Sequence, residues 1–428
     1  MTYCVIGAGA AGLAVARHLK ASSIPFEVIE READVGGIWD ASLPHSPVYH
    51  SAHLISSKPL TQFPDFPMPG DYPDYPHHGQ ALEYLRSYAK AFGLYEFIRF
   101  GRTVEGAERA EGNDWNVTFS DGESRVYSGL IVAAGIHRTP SLPEVRGEFD
   151  GACIHSSRYK TPEIFRNKRV LIVGAGNSGC DIAVEAGQHA ARTFLSVRRG
   201  YYYIPKYALG RPIDQVGELG LKLRLPLFIR RSLDQLLLRI VVGSPEQFGL
   251  PRPDHKLLET HPIVNSQILQ SLGQGDIRPK PDLLELKGRE VLFKDGSTEQ
   301  VDLIVYATGY RVSFPFLDAR HLNSADGRPD FYLHAFHPTY ENLFIVGLLV
   351  PDGGVWPLMD LQARAVARYV QADRANAAGL PKARALKQGP RPDLGGGIRY
   401  VASDRHRLEV EHSSYRRRLR SLIRLLDH

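Results

Sequence analysis

One glycine pattern constrains this chain more than anything else in it. Gly7, Gly9 and Gly12 stand between a short β-branched apolar run (residues 2–6) and a helical stretch (13–20), and a second apolar run, 26–29, ends in Glu30. That order predicts a strand, a tight turn, a helix and a second strand. It recurs about 165 residues later: apolar run 169–173, then Gly174, Gly176 and Gly179, a helical stretch 180–186 and an apolar run 193–197. A supersecondary unit that appears twice in 428 residues points to two α/β domains rather than one large core. The rest of the pattern fills in around the two units. Residues 40–80, rich in Pro, His and Tyr, read as ordered irregular loop, and 81–92 as helix. Segments 115–119 and 123–127 form a hairpin about Asp121-Gly122, and 292–298 a second about Asp295-Gly296. Buried strands are predicted at 130–134, 301–305 and 343–347. Helices are predicted at 221–242, 357–370 and 413–426, with 372–398 as a loosely packed connector.

Composition excludes several classes. Hydrophobic residues make up 43% and charged residues 23%, which rules out a disordered or collagen-like chain. The longest apolar run, 343–350, is eight residues interrupted by Gly347, too short to span a bilayer. Residues 1–19 lack the positive start of a secretory leader. Three cysteines, Cys4, Cys153 and Cys180, form no CxxC pair, so a reducing compartment fits and the expected location is cytoplasmic. The net charge of +5 is concentrated at the end: residues 371–428 hold 13 Lys/Arg against 6 Asp/Glu. No basic stripe interleaves with aromatics, so nucleic acid is not an expected partner.

The chemistry follows from what the turns can hold. Gly7 makes the tight turn, Gly9 admits a pyrophosphate, Gly12 lets helix and strand close up, the phosphates take up the free N–H groups at the helix start, and Ala10 and Ala11 within the turn are expected cofactor contacts. Glu30 suits ribose hydroxyls and repels a 2′-phosphate, so the first site takes FAD or NAD. The second turn, with Asn177 and Ser178 inside it, leads to Arg198 and Arg199 instead of an acid. Two guanidinium forks there suit the 2′-phosphate of NADPH. Two sites of opposite charge preference imply hydride transfer from NADPH to FAD. A disulfide reductase would need a redox CxxC, and oxygen is the remaining common acceptor. Cys4 and Cys180 read as packing residues. His50, His53, His77 and His78 lack the carboxylate or Cys company of a metal site, and no metal is expected. Ser178 stands in GxSG, not the GxSxG of a nucleophile elbow.

At this point the sequence resembles the flavin-containing monooxygenases. Phe149, Gly151, His155 and Tyr159 fit that family's FxGxxxHxxxY signature, placed just before the second turn. Gly36, Gly37, Ile38 and Trp39 match its GGxW element. Ser56, Ser57 and Lys58, followed by residues 63–67, resemble its flavin-side loop, and 176–181 and 307–310 also match. The resemblance runs from residue 3 to about 350. It implies an α/β fold of two Rossmann-like dinucleotide-binding domains, with the NADPH domain (156–310) inserted into a discontinuous FAD domain (1–155 and 311–428). It implies FAD contacts at Gly37, Ile38, Trp39, Leu54, Ser56 and Gly135. The implied reaction is reduction of FAD by NADPH, addition of oxygen at flavin C4a, and transfer of one oxygen atom from the hydroperoxide to an amine or sulfide, as in N,N-dimethylaniline monooxygenase activity. The cofactor makes the bonds, and no side chain is assigned as general base. His155 reads as a hydrogen-bonding strut.

Two departures shape the alternatives. Many family members carry Asn just before the Ser-Ser-Lys loop, where this chain has Ile55. That raises an NADPH oxidase releasing hydrogen peroxide. A Baeyer–Villiger oxygenase has Trp-Pro in the signature where this chain has Tyr159 and Lys160. Expected partners are a small-molecule substrate and molecular oxygen, with room for a homodimer and for peripheral membrane contact. In the tail, Tyr415, Leu419, Leu422, Ile423 and Leu426 form an apolar stripe opposite Arg416, Arg417, Arg418, Arg420 and Arg424. A helix docked on the body is favoured over a membrane-surface helix. Segment 221–242 would wall a substrate channel or make an oligomer contact.

Overall fold

A computed structural model describes residues 2–222, 227–323, 328–403 and 406–427. Two five-stranded parallel sheets organise the chain, and each is centred on a strand that feeds a glycine turn. The first runs in the order Leu343–Ile345, Gly129–Val132, Tyr3–Ile6, Phe26–Ile29, Ile98–Arg99. The second runs Ala152–His155, Leu303–Tyr306, Arg169–Val173, Arg192–Ser196, Ile277–Lys280. All four residues of Tyr3–Ile6 are buried, as a parallel strand covered on both faces requires. This is the doubly wound α/β architecture expected from the two glycine turns.

Each parallel sheet carries an antiparallel companion. Val104–Arg109, Trp115–Phe119 and Ser124–Tyr127 form one. Thr298–Gln300, Glu290–Phe293 and Leu283–Gly288 form the other, to which Arg146–Phe149 adds in parallel. Both Asp-Gly hairpins therefore form as expected. The strand Ala152–His155 hydrogen-bonds within the second sheet, so the chain has already crossed to the second unit before residue 156.

The core of the first unit lies between its sheet, the helix Ala10–Ala21 and the helix Trp356–Ala375. The C-terminal helix His412–Leu426 packs on the latter. Its stripe Tyr415, Leu419, Leu422, Ile423 and Leu426 is buried, so it faces the body and not a bilayer. A hydrogen-bonded chain secures it. Tyr415 Oη donates to Leu333 O at 2.6 Å, Gln362 Nε2 donates to Tyr415 Oη at 2.6 Å, and Gly347 N–H donates to Gln362 Oε1 at 2.9 Å.

One expectation needs correction. Residues 372–398 are not a loose connector, because Trp356–Ala375 runs on to residue 375 and Leu380–Gln388 forms a further helix. Leu380, Ala383 and Lys387 are buried on one face, and Lys387 Nζ donates to Tyr340 O at 2.9 Å and pairs with Glu341 at 3.0 Å. The Ala and Gly content concealed that 3.6-residue spacing. The expected helix at 221–242 falls partly outside the described residues, at 223–226; on either side of them Ile213–Lys222 and Leu227–Val242 are helical. Leu227–Val242 exposes Leu233, Leu236, Ile240 and Val241. Among the described residues no helix is long and apolar enough to cross a membrane.

Candidate functional site

The first turn is shaped by two contacts in which a side chain is forbidden. Gly7 has φ +102°, and a Cβ there would lie 2.7 Å from Ala133 O. A Cβ on Gly12 would lie 1.8 Å from Gly7 O, inside the atom it would have to avoid. Gly9 differs, because its Cβ would meet only the Cα of Gly37 at 3.6 Å. Its bareness is therefore not needed for packing and is left for a ligand. The helix Ala10–Ala21 begins at Gly9 with no side-chain cap and no acid in its first turn. Those N–H groups point at an anion. Gly36 N–H donates to Ala8 O at 3.1 Å, which brings Gly37, Ile38 and Trp39 against the turn. Trp39 meets Trp356 edge-on at 5.9 Å, and Trp356 stacks on Phe63 and Tyr84. Leu54 is buried in the same core, while Ile55 is 38% exposed. Gly135, at φ +74°, has open space where a side chain would be.

Glu30 is buried at the end of its strand, and two backbone donors hold its carboxylate: Ala8 N–H to Oε2 at 2.6 Å and Glu32 N–H to Oε1 at 3.0 Å. Burial pushes its pKa up, and the two donors oppose that. The carboxylate is thus fixed beside the turn. An uncapped helix start, a bare Gly9 and a positioned acid together fit a dinucleotide without a 2′-phosphate, as FAD is.

The second turn repeats the sterics. Gly174 has φ +105° and a would-be Cβ 2.7 Å from Ala307 O, and Gly179 one 1.9 Å from Gly174 O. The helix Asn177–His189 starts at Gly176, again without a side-chain cap or a first-turn acid. Asn177 faces elsewhere: its Nδ2 donates to Pro262 O at 3.1 Å, and its Oδ1 accepts from Val264 N–H at 2.7 Å. Ser178 is exposed at the helix start. Beyond the neighbouring strand, Arg198 is exposed, whereas Arg199 Nε donates to Asp254 Oδ2 at 2.9 Å. The two arginines are therefore unequal, one available and one already paired. This turn fits a dinucleotide carrying an extra phosphate.

Signature residues lie where the two sheets join. The Phe149 ring covers Gly151, whose Cβ would lie 2.5 Å from it. His155 is buried, with Nε2 3.0 Å from Gly309 O and Nδ1 3.0 Å from Ser157 Oγ. Burial lowers its pKa, as suits a neutral strut. Tyr159 stacks on Phe165 and donates to Glu185. Lys160 Nζ gathers the carbonyls of Ser46 and Val48 at 2.6 and 3.1 Å. His50, His53 and His77 do come close, with rings 5.1–6.1 Å apart, but both His77 nitrogens have backbone partners. Among the described residues no group of three His, Cys, Asp or Glu could hold a metal.

Sequence reasoning assigns no role to several residues at the site. Asp181, inside the matching segment 176–181, accepts from Tyr49 Oη at 2.7 Å and from Asn265 Nδ2 at 2.6 Å, and burial raises its pKa. It binds the irregular loop of the first unit to the helix of the second turn. Asp214 carries no signal, and Gly347 reads only as a break in an apolar run. Gly347 lies 3.1 Å, by its would-be Cβ, from Ala11.

Comparison with known proteins agrees with this geometry. The family model described as flavin-binding monooxygenase-like matches residues 2–385. The chain is 34% identical over 388 residues to flavin-containing monooxygenase 5 of Oryctolagus cuniculus, covering 84% of this chain and 71% of that protein. It is 34% identical over 382 residues to dimethylaniline monooxygenase [N-oxide-forming] 2 of Rattus norvegicus, with the same coverage. Among solved structures, S-allyl-L-cysteine S-oxygenase from Allium sativum superposes with TM-score 0.66 at 21% identity, over 100% of this chain and 91% of that one. Cyclohexanone monooxygenase gives 0.70 at 18% identity, over 98% and 97%. At those identities the structures report the fold alone.

Proposed function

The chain belongs to the flavin-containing monooxygenase family, and we propose that it transfers one oxygen atom of O2 to the nitrogen or sulfur of a small molecule. It is an FAD- and NADPH-dependent oxidoreductase. The observation that carries the finer reading is the pair of uncapped glycine turns with opposite charge beside them, Glu30 at one and Arg198 at the other. When bound, FAD supplies the redox and oxygen-activating chemistry. The chain's own residues bind, orient and shield.

In this reading Gly7, Gly9, Ala10, Ala11, Gly12 and Glu30 hold the FAD pyrophosphate and ribose. Gly37, Ile38, Trp39, Leu54, Ser56 and Gly135 surround the rest of that cofactor. Gly174, Gly176, Ser178 and Gly179, with the backbone of Asn177, take NADPH, with Arg198 toward its 2′-phosphate and Arg199 reaching it only by leaving Asp254. Phe149, Gly151, His155 and Tyr159 fix the junction between sites. The FAD unit comprises residues 1–155 and 311–428 and the NADPH unit 156–310, with the strand Ala152–His155 lent to the second sheet. Amine or sulfide oxygenation is favoured over ketone oxygenation because Tyr159 and Lys160 stand where the ketone-oxygenating signature has Trp-Pro.

The test compares oxygenated product and hydrogen peroxide with NADPH consumed, for an amine, a thioether and a ketone. The expected result is a yellow protein that forms N- or S-oxide in step with NADPH. Product from the ketone alone would move the reading to Baeyer–Villiger chemistry. Peroxide equal to NADPH with all three would make it an oxidase.

A further inference from the structure

The loop that holds Ile55 is fastened from outside its own unit. Ser57, buried two residues after Ile55, donates its backbone N–H to Asp214 Oδ2 at 2.6 Å. Gln215 Nε2 reaches Ser57 Oγ at 3.4 Å. Asp214 is the second residue of the helix Ile213–Lys222, which follows a short two-stranded turn, Tyr207–Ala208 with Arg211–Pro212. That turn is fastened to the same loop further on. Tyr75 Oη donates to Lys206 O at 2.5 Å, Tyr207 Oη donates to Asp74 Oδ2 at 3.1 Å, and the two tyrosine rings meet edge-on at 5.5 Å. Residues 203–215 therefore form a strap fastened to the loop at two places, 206–207 to residues 74–75 and 214–215 to Ser57.

The fastening at Ser57 differs from the others in holding the loop's own backbone. Like the Tyr207–Asp74 bond it ends on a carboxylate, so it is charge-assisted, roughly twice as strong as a neutral bond. Because it acts on the backbone, it fixes where the chain runs through Ser56 and Ile55 whatever those side chains do. Ser57 also begins the short helix Lys58–Thr61 through its carbonyl, which accepts from Leu60 and Thr61 N–H at 3.0 Å. Ser57 is thereby gripped from both sides. Leu54 is locked in the core and Ser57 in the clasp, so Ile55 has little freedom to leave its place.

We propose that Asp214 is a positioning residue for oxygenation: it clasps Ser57 N–H, holds the 203–215 strap over the Ile55 loop, and so keeps water from the flavin. This inference rests on the reading of that loop as flavin-facing. Ile55 has no amide to hold flavin or nicotinamide, and the clasp supplies by covering what the missing side chain would supply by hydrogen bonding.

Two measurements on the flavin-loaded protein test it, with Asp214→Ala and Asp214→Asn. Amide hydrogen exchange reads the clasp, and hydrogen peroxide released per NADPH oxidised reads the shielding. In Asp214→Ala, exchange across residues 56–61 and 203–215 should quicken at least tenfold while the helix Ala10–Ala21 is unchanged, and peroxide release should rise at least threefold. Asp214→Asn keeps an oxygen acceptor at the same distance and should recover most of both, which general damage to the fold would not predict. Unchanged exchange in Asp214→Ala overturns the clasp. Faster exchange with unchanged peroxide release overturns the shielding role. Failure of the parent reading shows instead in the unaltered protein, as no NADPH consumption at all, and would overturn this proposal with it.

Discussion

The two glycine turns can be laid side by side. At each, the first glycine has φ just above +100° and its would-be Cβ falls 2.7 Å from a carbonyl of the adjoining strand. At each, the third glycine would drive a Cβ to within 2 Å of the first glycine's oxygen. Both helices start uncapped. The units part only where the next strand ends: Glu30 is buried and held by two backbone donors, whereas Arg198 is exposed and Arg199 is turned to Asp254. One steric arrangement is thus met twice, and the two turns differ in a residue outside the turn. In the proposed reading that residue distinguishes the dinucleotides: a fixed acid suits ribose hydroxyls, weak neutral partners that reward fixed geometry, and an exposed arginine suits phosphate, a strong partner.

The sharpest way to break this comparison is at its steric centre. Gly12→Ala and Gly179→Ala should each fail to yield folded protein or lower the melting temperature by many degrees, since backbone must move and overpacking costs about 1–3 kcal/mol or more. Thermal unfolding would show it, and a normal melting temperature in either variant would contradict the close approach. Gly9→Ala should behave differently, because its Cβ meets nothing closer than 3.6 Å. The variant is expected to fold normally and purify with less than a tenth of the flavin. Full flavin content would show that the first turn is not the FAD site.

The next effect separates the arginines. Arg198→Ala should raise the KM for NADPH at least tenfold and leave that for NADH nearly unchanged, as loss of a charge-assisted contact of about 1.5–3 kcal/mol requires. Arg199→Ala should do less, because Asp254 already engages that side chain. Equal losses for both coenzymes would remove the phosphate assignment. The smallest effect is expected at Ile55. Ile55→Asn offers an amide at the loop and should lower peroxide release without substrate by about threefold, equivalent to about 0.65 kcal/mol in a barrier. No change would mean that the position does not face the cofactor, or that shielding comes wholly from elsewhere.

Much of this was legible in the sequence because it is local. A glycine required by φ above +100°, a strand buried on both faces and an Asp-Gly hairpin each leave their mark within about ten residues. The signature from Phe149 to Tyr159 was legible for the same reason, since a ring over a bare glycine needs both in one short stretch. The connector at 372–398 was misread because Ala and Gly obscure an apolar face that only Leu380, Ala383 and Lys387 define. Lys387 looks polar until its ammonium is seen reaching Glu341.

The sequence by itself determined that this chain folds as two α/β units, each opening on a glycine turn, with an acid beyond one turn and arginines beyond the other. Those properties follow from backbone sterics and residue type, which neighbours in the chain suffice to express. Only the tertiary structure decided which arginine is paired, what holds Ser57 beside Ile55, and how the loop of one unit is tied to the helix of the other. Arg199 with Asp254, Ser57 with Asp214 and Tyr49 with Asp181 are separated by 55, 157 and 132 residues. No local pattern encodes such a pair, because an Asp in a helix looks the same in sequence whether it meets water or a buried backbone N–H from across the molecule.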